Sequence, residues 1–275
     1  MLPRLSWNPT ECAHDAGCAS HLRLADVLLR AKALGLQWVE LAYALIPSCS
    51  ATTVAPLRQL LDRLELAVSA VSLSCDFIDL DPEVRRSEIE RALAWASVAR
   101  ALGSTGLRLA VGRIPVGCEQ SQAETWALDG LCRVADVIAA LGVDLGLENA
   151  CPDRGAAFED LWAQQELFLS LAAATADSAV GIVLNTSNLV GPENVRQAVL
   201  ELLGNRVWSV CVTLRQVENR AGTAESQDEL QAVLGLLSSH GYKGYITLDG
   251  HGWDGDASVA EALRSLRQAA LQWWL

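Results

Sequence analysis

The chain has 275 residues, 51% of them hydrophobic, with a formal net charge of −12 and a pI near 4.8. A large core is therefore within reach and disorder is excluded, while the acidic balance argues against a phosphate backbone as ligand, which needs clustered Lys and Arg. No apolar run reaches the ~18 residues of a membrane span, and "MLPRLSWNPTECAHD" lacks the apolar stretch of a secretory signal, so a soluble, cytoplasmic protein with no membrane partner is expected.

Along the chain one rhythm recurs: a short apolar run, a polar loop, an amphipathic segment. The predicted strands are Leu5–Trp7, Trp38–Leu41, Ala67–Leu73, Gly106–Ala110, Val143–Leu147, Gly181–Leu184, Trp208–Val212 and Tyr245–Leu248. Between and after them, helical periodicity covers Leu22–Leu34, Val54–Leu64, Pro82–Leu102, Ala123–Leu141, Ala157–Ala174, Glu193–Leu203, Gln227–His240 and Ser258–Gln272. Gly35, Gly103, Gly142 and Gly241 sit where helices should stop, and Asp81-Pro82 gives one helix a capping side chain and a first-position proline. Eight strands alternating with eight helices predict a single (β/α)8 TIM barrel over residues 1–275; no G-x-G-x-x-G follows the first strand to suggest a doubly wound sheet. The terminal "LQWWL" reads as a docking tail or as an interface between copies in a homo-oligomer.

In such a barrel the ligand lies at the C-terminal strand ends. These carry Trp7-Asn8, Glu40, Ser74-Cys75-Asp76, Arg108, Glu148-Asn149, Asn185 to Asn188, Cys211 to Arg215, and Asp249 to His251. Charge inside an apolar strand is costly unless it is paired or used, which singles out Glu148, Asp249 and Arg108. Alternation sends Arg108 into the barrel mouth, either to pair Glu148 or to bind an anionic group. Glu40 is a second partner there or holds an arginine. His251 follows a strand end directly; His14 and His21 lie near the first helix start, and His240 caps a helix C-terminus. The eight cysteines form no C-x-x-C pair, so mostly buried or half-buried free thiols are expected.

Several segments resemble the xylose isomerase-like barrel superfamily, the sugar phosphate isomerase/epimerase group. "LGVDLGLENACP" resembles its "LEN" segment, "GIVLNTSNL" its "GLxLDTGHL", "VWSVCVTLRQ" its "HVHLKD" and "GYITLDGHG" its "GYxSLEYEG", while "GSTGLRL" carries the arginine usual in its fourth strand. The resemblance runs from "GLQWVEL" to "GYITLDGHG". It implies a divalent metal held by Glu, Asp, His and Glu, positions that fall here on Glu148, Asn185, Thr213 (or Cys211, if the pairing shifts by two) and Asp249. The additional histidine of that family falls on Asn188. With two carboxylates left, Mn or Mg is expected to be lost, and Zn would need Cys211; no cofactor is expected.

The resemblance implies proton transfer next to a carbonyl on a small hydroxy-carbonyl compound, through an enediolate. Glu148, Asp249 and His251 are the candidate catalytic groups, and Arg108, Asn149, Asn185, Asn188, Arg215, Glu40 and Trp7 the candidate substrate-binding ones. Arg220 joins Arg108 and Arg215 as a possible anchor for phosphate or carboxylate. Two other readings stand beside this one. The barrel is catalytically silent and binds a small molecule or a partner; or it is a metal-dependent endonuclease, which the acidic charge and missing histidines disfavour.

Overall fold

The computed structural model describes residues 2–9, 24–150, 158–189, 191, 198–199, 201–203, 206–213, 217, 224–250 and 256–274. Eight parallel strands close into one barrel in sequence order. They are β1 (Arg4–Asn8), β2 (Trp38–Ala42), β3 (Ala67–Ser74), β4 (Gly106–Ala110), β5 (Asp144–Glu148), β6 (Val180–Asn185), β7 (Val207–Thr213) and β8 (Tyr245–Asp249). The helices are α1 (Leu24–Ala33), α2 (Ala51–Leu64), α3 (Pro82–Ala101), α4 (Gln120–Leu141), α5 (Phe158–Ala174), α6 (Ala224–Ser239) and α7 (Asp256–Trp274). Residues 198–199 and 201–203, between β6 and β7, are also helical. No described helix is long and apolar enough to cross a membrane.

The barrel is the predicted one, with every strand within two residues of its expected ends. Parallel strands are covered on both faces, so their sequences are nearly continuous apolar runs, and β4, "GLRLA", is buried at all five positions. Gly35, Gly103, Gly142 and Gly241 take φ of 66 to 70°, the left-handed geometry that ends a helix. Helix α2 closes instead on Glu65 at φ 52, and it starts three residues before the predicted Val54.

Asp81 caps α3 as predicted, accepting from the Glu83 backbone N–H at 2.9 Å, with Pro82 at the first position. Asp81→Ala should remove about 1 kcal/mol and lower Tm by about 2–4 °C, read by thermal denaturation. The "LQWWL" segment docks, as one of the two expectations had it, but as the last turn of α7, which runs through Trp274. The Trp273 indole donates to Gln231 Oε1 at 2.8 Å and the Trp274 indole to the Tyr242 carbonyl at 2.8 Å, fastening α7 onto α6 and the turn before β8. Among the described residues Cys49, Cys75, Cys118, Cys132 and Cys211 are free; Cys75, Cys118 and Cys211 are buried or half-buried, as expected of most of the thiols, and Cys49 and Cys132 are exposed.

The N-terminal end of the barrel has an aromatic floor. Tyr245 packs edge-on against Trp38 at 5.1 Å and against Trp208 at 6.5 Å between ring centroids. Arg4 lies over the Trp38 and Tyr245 rings and donates to the Tyr245 hydroxyl at 3.1 Å. Trp208 lies where the β6–β7 register shifts, between Ile182/Val183 and Val207/Ser209. Its ring crosses inward toward β4, β5 and β6, where Gly106, Gly146 and Gly181 leave room for it.

Candidate functional site at the carboxyl ends of the strands

Inward parity on each strand brings Asn8, Glu40, Ser72, Arg108, Glu148, Asn185, Cys211 and Asp249 to the upper half of the barrel interior. The register fixes their levels: Asn8 lies opposite Asp249, Cys211 opposite both Asn185 and Thr247, and Thr213 opposite Asp249. Arg108 is the hub. Its Nε donates to Glu148 Oε2 at 2.7 Å and its Nη2 to Glu148 Oε1, a two-pronged pair. Its Nη1 donates to Glu40 Oε1 at 2.7 Å, and Nη2 also reaches Asp249 Oδ2 at 3.4 Å. Strands β2, β5 and β8 are thereby tied to β4 through one guanidinium.

The group is almost wholly withdrawn from water, with Arg108 at 5%, Asp249 at 3% and Glu40 at 0% exposure. Burial works against the Arg108 charge, yet the Glu148, Glu40 and Asp249 carboxylates around it outweigh burial and hold its pKa well above the ordinary arginine value. Burial pushes the Glu40 carboxyl above the usual carboxylate range, more than Arg108 pulls it down. Burial likewise pushes the Cys211 thiol well above its usual value, so it is a neutral thiol and not a thiolate.

The asparagines of β5 and β6 form a second layer. Asn149 accepts from the Asn185 backbone N–H at 2.6 Å and donates to the Asn185 carbonyl at 3.0 Å. Asn188 donates to the Asn149 carbonyl at 2.9 Å. Asn185 directs its Nδ2 to Glu148 Oε1 at 3.3 Å, while its Oδ1 accepts from the Ser187 N–H at 3.2 Å and hydroxyl at 2.7 Å. The Asn185 side chain thus presents a donor to the site and keeps its oxygen in the loop.

These contacts sort the predicted site residues. Glu148, Asp249, Arg108, Glu40 and Asn185 come together. Arg108 takes the pairing alternative, since carboxylates occupy its donors, rather than waiting for an anion. Asn149 spends both ends of its amide on the β6 backbone, so it positions Asn185 instead of facing a substrate. Trp7 is displaced from the site altogether: strand parity turns it outward, fully buried, under Arg30 of α1, whose guanidinium lies 5.7 Å from its ring. His251 and Arg215 lie outside the described residues. Asn8 was missed as a site residue. It donates to Glu40 Oε1 at 3.0 Å and lies 3.5 Å from the Ser72 hydroxyl. Parity was the available signal, because Asn8 and not Trp7 faces inward at the end of β1.

The metal positions implied by the resemblance do not fit a divalent ion. Both Glu148 oxygens are held by Arg108, Asn185 presents N–H groups, and Cys211 is a protonated thiol. A hard cation needs several free oxygen or imidazole ligands. Among the described residues, no group of three or more His, Cys, Asp or Glu side chains is arranged to hold one.

The model of a family described as xylose isomerase-like TIM barrel matches residues 28–269. No curated protein matches the sequence. Among solved structures, D-psicose 3-epimerase from Clostridium cellulolyticum H10 is similar at TM-score 0.75 and 14% identity, covering 97% of this chain and 99% of that one. D-allulose 3-epimerase from Methylomonas sp. is similar at TM-score 0.75 and 17% identity, covering 98% of each chain. 3-Keto-D-glucoside 4-epimerase from E. coli is similar at TM-score 0.73 and 13% identity, covering 97% and 99%. At these identities the likeness is one of fold.

Proposed function

Because the chain belongs to the xylose isomerase-like TIM barrel family, we propose that it is an isomerase or epimerase of small hydroxy-carbonyl compounds in which an arginine, not a divalent metal, organises the site. The observation that carries this reading is the convergence of Glu148 from β5 and Asp249 from β8 on the single guanidinium of Arg108. Epimerisation next to a carbonyl needs one group to remove a carbon-bound proton and another to return one to the opposite face. Glu148 and Asp249, carried by different strands and meeting at one Arg108 nitrogen, supply the two carboxylates such a reaction needs.

Asp249, whose 3.4 Å contact with Arg108 is the looser one, takes the proton, and Glu148 serves the other face. Negative charge developing on the enediolate oxygens is met by fixed donors, the one Arg108 N–H that the carboxylates leave over and the Asn185 amide. The similar structures are epimerases of sugars by their names, which directs the substrate search to ketoses and keto sugars.

One observation favours a silent barrel instead: the guanidinium has five N–H groups, and the carboxylate contacts use four of them. The network would then be a structural clasp for the strand ends. Incubation with a panel of keto sugars and keto acids in deuterated water separates the two readings. The enzyme should place deuterium next to the carbonyl of at least one compound, and Asp249→Asn or Glu148→Gln should slow that by about 10²–10⁴-fold while the fold is kept. Ligand-induced stabilisation without exchange from any compound would identify a binding protein.

A further inference from the structure

Below the Arg108 cluster and above the aromatic floor, the barrel interior is unusually small-chained and polar. Barrel layers are commonly filled by Val, Ile and Leu; here Ser6, Ser69, Ser209 and Thr247 point inward and are all but inaccessible, at 0%, 1%, 1% and 0% exposure. Ser6 and Ser69 satisfy each other at 2.7 Å, and Ser69 also donates to the Val39 carbonyl at 3.1 Å. The wall made by β7, β8, β1 and β2 is different. Buried Ser209 Oγ, Thr247 Oγ1, Asn8 Oδ1 and Glu40 Oε2 have no hydrogen-bond partner among the described residues.

These four oxygens come from four consecutive strands of one wall. Thr247 lies opposite both Ser6 and Cys211, Asp249 opposite Asn8, and Ser209 opposite Tyr245. Asn8 and Glu40 are joined through Asn8 Nδ2 and Glu40 Oε1, at 3.0 Å. Two of the four are strict acceptors and two are hydroxyls, which also accept. Buried polar atoms without partners are rare in proteins, so four along one wall call for a donor or a cation.

We propose that this wall binds a compact monovalent cation, coordinated by Glu40 Oε2, Asn8 Oδ1 and the Thr247 and Ser209 hydroxyls. The source is either a free ion such as ammonium, potassium or sodium, or the protonated amine of a bound ligand. A single carboxylate with neutral oxygens suits a monovalent charge, and the set lacks the several charged ligands that divalent ions require. The site does not depend on whether the barrel is catalytic.

Thermal denaturation of the full chain tests this at constant ionic strength, in chloride salts of sodium, potassium, ammonium, methylammonium and tetramethylammonium. At least one compact cation should raise Tm saturably, by about 5 °C near 100 times its Kd, and tetramethylammonium should not. Dependence on an inorganic ion identifies a free-ion site; dependence on methylammonium alone identifies a site for a ligand amine. Thr247→Val, close in shape, should weaken the dependence at least tenfold in ion concentration, and Glu40→Gln should abolish it. Tm values equal in all five salts would overturn the proposal, as would an ion dependence that both variants leave intact. The deuterium assay reads the proposed reaction separately, so either idea can fail alone.

Discussion

Arg108→Met should destabilise the protein by about 3–5 kcal/mol, lowering Tm by about 10 °C. The loss follows from what remains, not from the salt bridges themselves. Glu40, Glu148 and Asp249 would stay buried with no described cation between them, and removing one partner of a buried ion pair leaves uncompensated charge. Arg108→Lys should recover only part of the loss, because an ammonium cannot reproduce the two-pronged contact to Glu148 while also reaching Glu40 and Asp249. Neutralising the carboxylates as well, with Glu40→Gln, Glu148→Gln and Asp249→Asn in the Arg108→Met background, should restore most of the stability.

The Arg108→Met defect should also depend on pH. Glu40 is already raised above 4.5 by burial, and Arg108 is the first influence that pulls it down. Without Arg108 its folded pKa rises further, so the folded state holds a proton that the unfolded state releases. A carboxyl raised on folding contributes stability at low pH that disappears as pH rises from the unfolded value through the folded one. The variant should therefore lie closer to the wild type at about pH 5 than at about pH 8. Urea unfolding at the two pH values checks this, and an equal gap at both would show that Glu40 does not respond to Arg108.

What the sequence showed of this molecule, and what it hid, divides along the line between local and non-local information. Strand positions were legible because parallel strands covered on both faces leave continuous apolar runs, and helix ends were legible where glycine or Asp81-Pro82 marks them locally. Glu148, Asp249 and Arg108 stood out as charges in apolar surroundings. That Glu40 would join them was only half visible, because the Arg108–Glu40 contact spans 68 positions and depends on barrel closure. Trp7 and Asn8 share the end of β1, and it is parity that turns Asn8 inward and Trp7 outward. Asn149 looked exposed to the site because nothing in "LENAC" shows that its amide clasps the β6 backbone. The resemblance implied an acidic and a histidine position at Asn185 and Asn188, but the orientation of Asn185, with its donor facing Glu148, was not readable.

Trp208→Ala should cost about 3 kcal/mol, toward the low end of the range for losing a tryptophan because the ring is only partly buried. The ring gives the barrel floor a specific shape, which a double-mutant cycle with Gly146 can detect. A Cβ at Gly146 would lie 2.6 Å from the Trp208 ring, and one at Gly106 or Gly181 would lie 2.7 or 2.3 Å from it. Gly146→Ala alone should therefore destabilise by about 1–3 kcal/mol through overpacking. In the Trp208→Ala background the same methyl still meets Val183 Cγ2, also 2.6 Å from a Cβ at Gly146, but no longer the indole, so its cost should fall without vanishing. A coupling energy of about 1–2 kcal/mol between the two sites is expected from urea unfolding, well above the ~0.5 kcal/mol of independent positions. Strict additivity would mean that the inward glycines of β4, β5 and β6 serve something other than the indole. The residual ring-sized gap would also open the interior from below, so the double variant should gain solvent access to the wall of Ser209 and Thr247 without touching the Arg108 cluster above it.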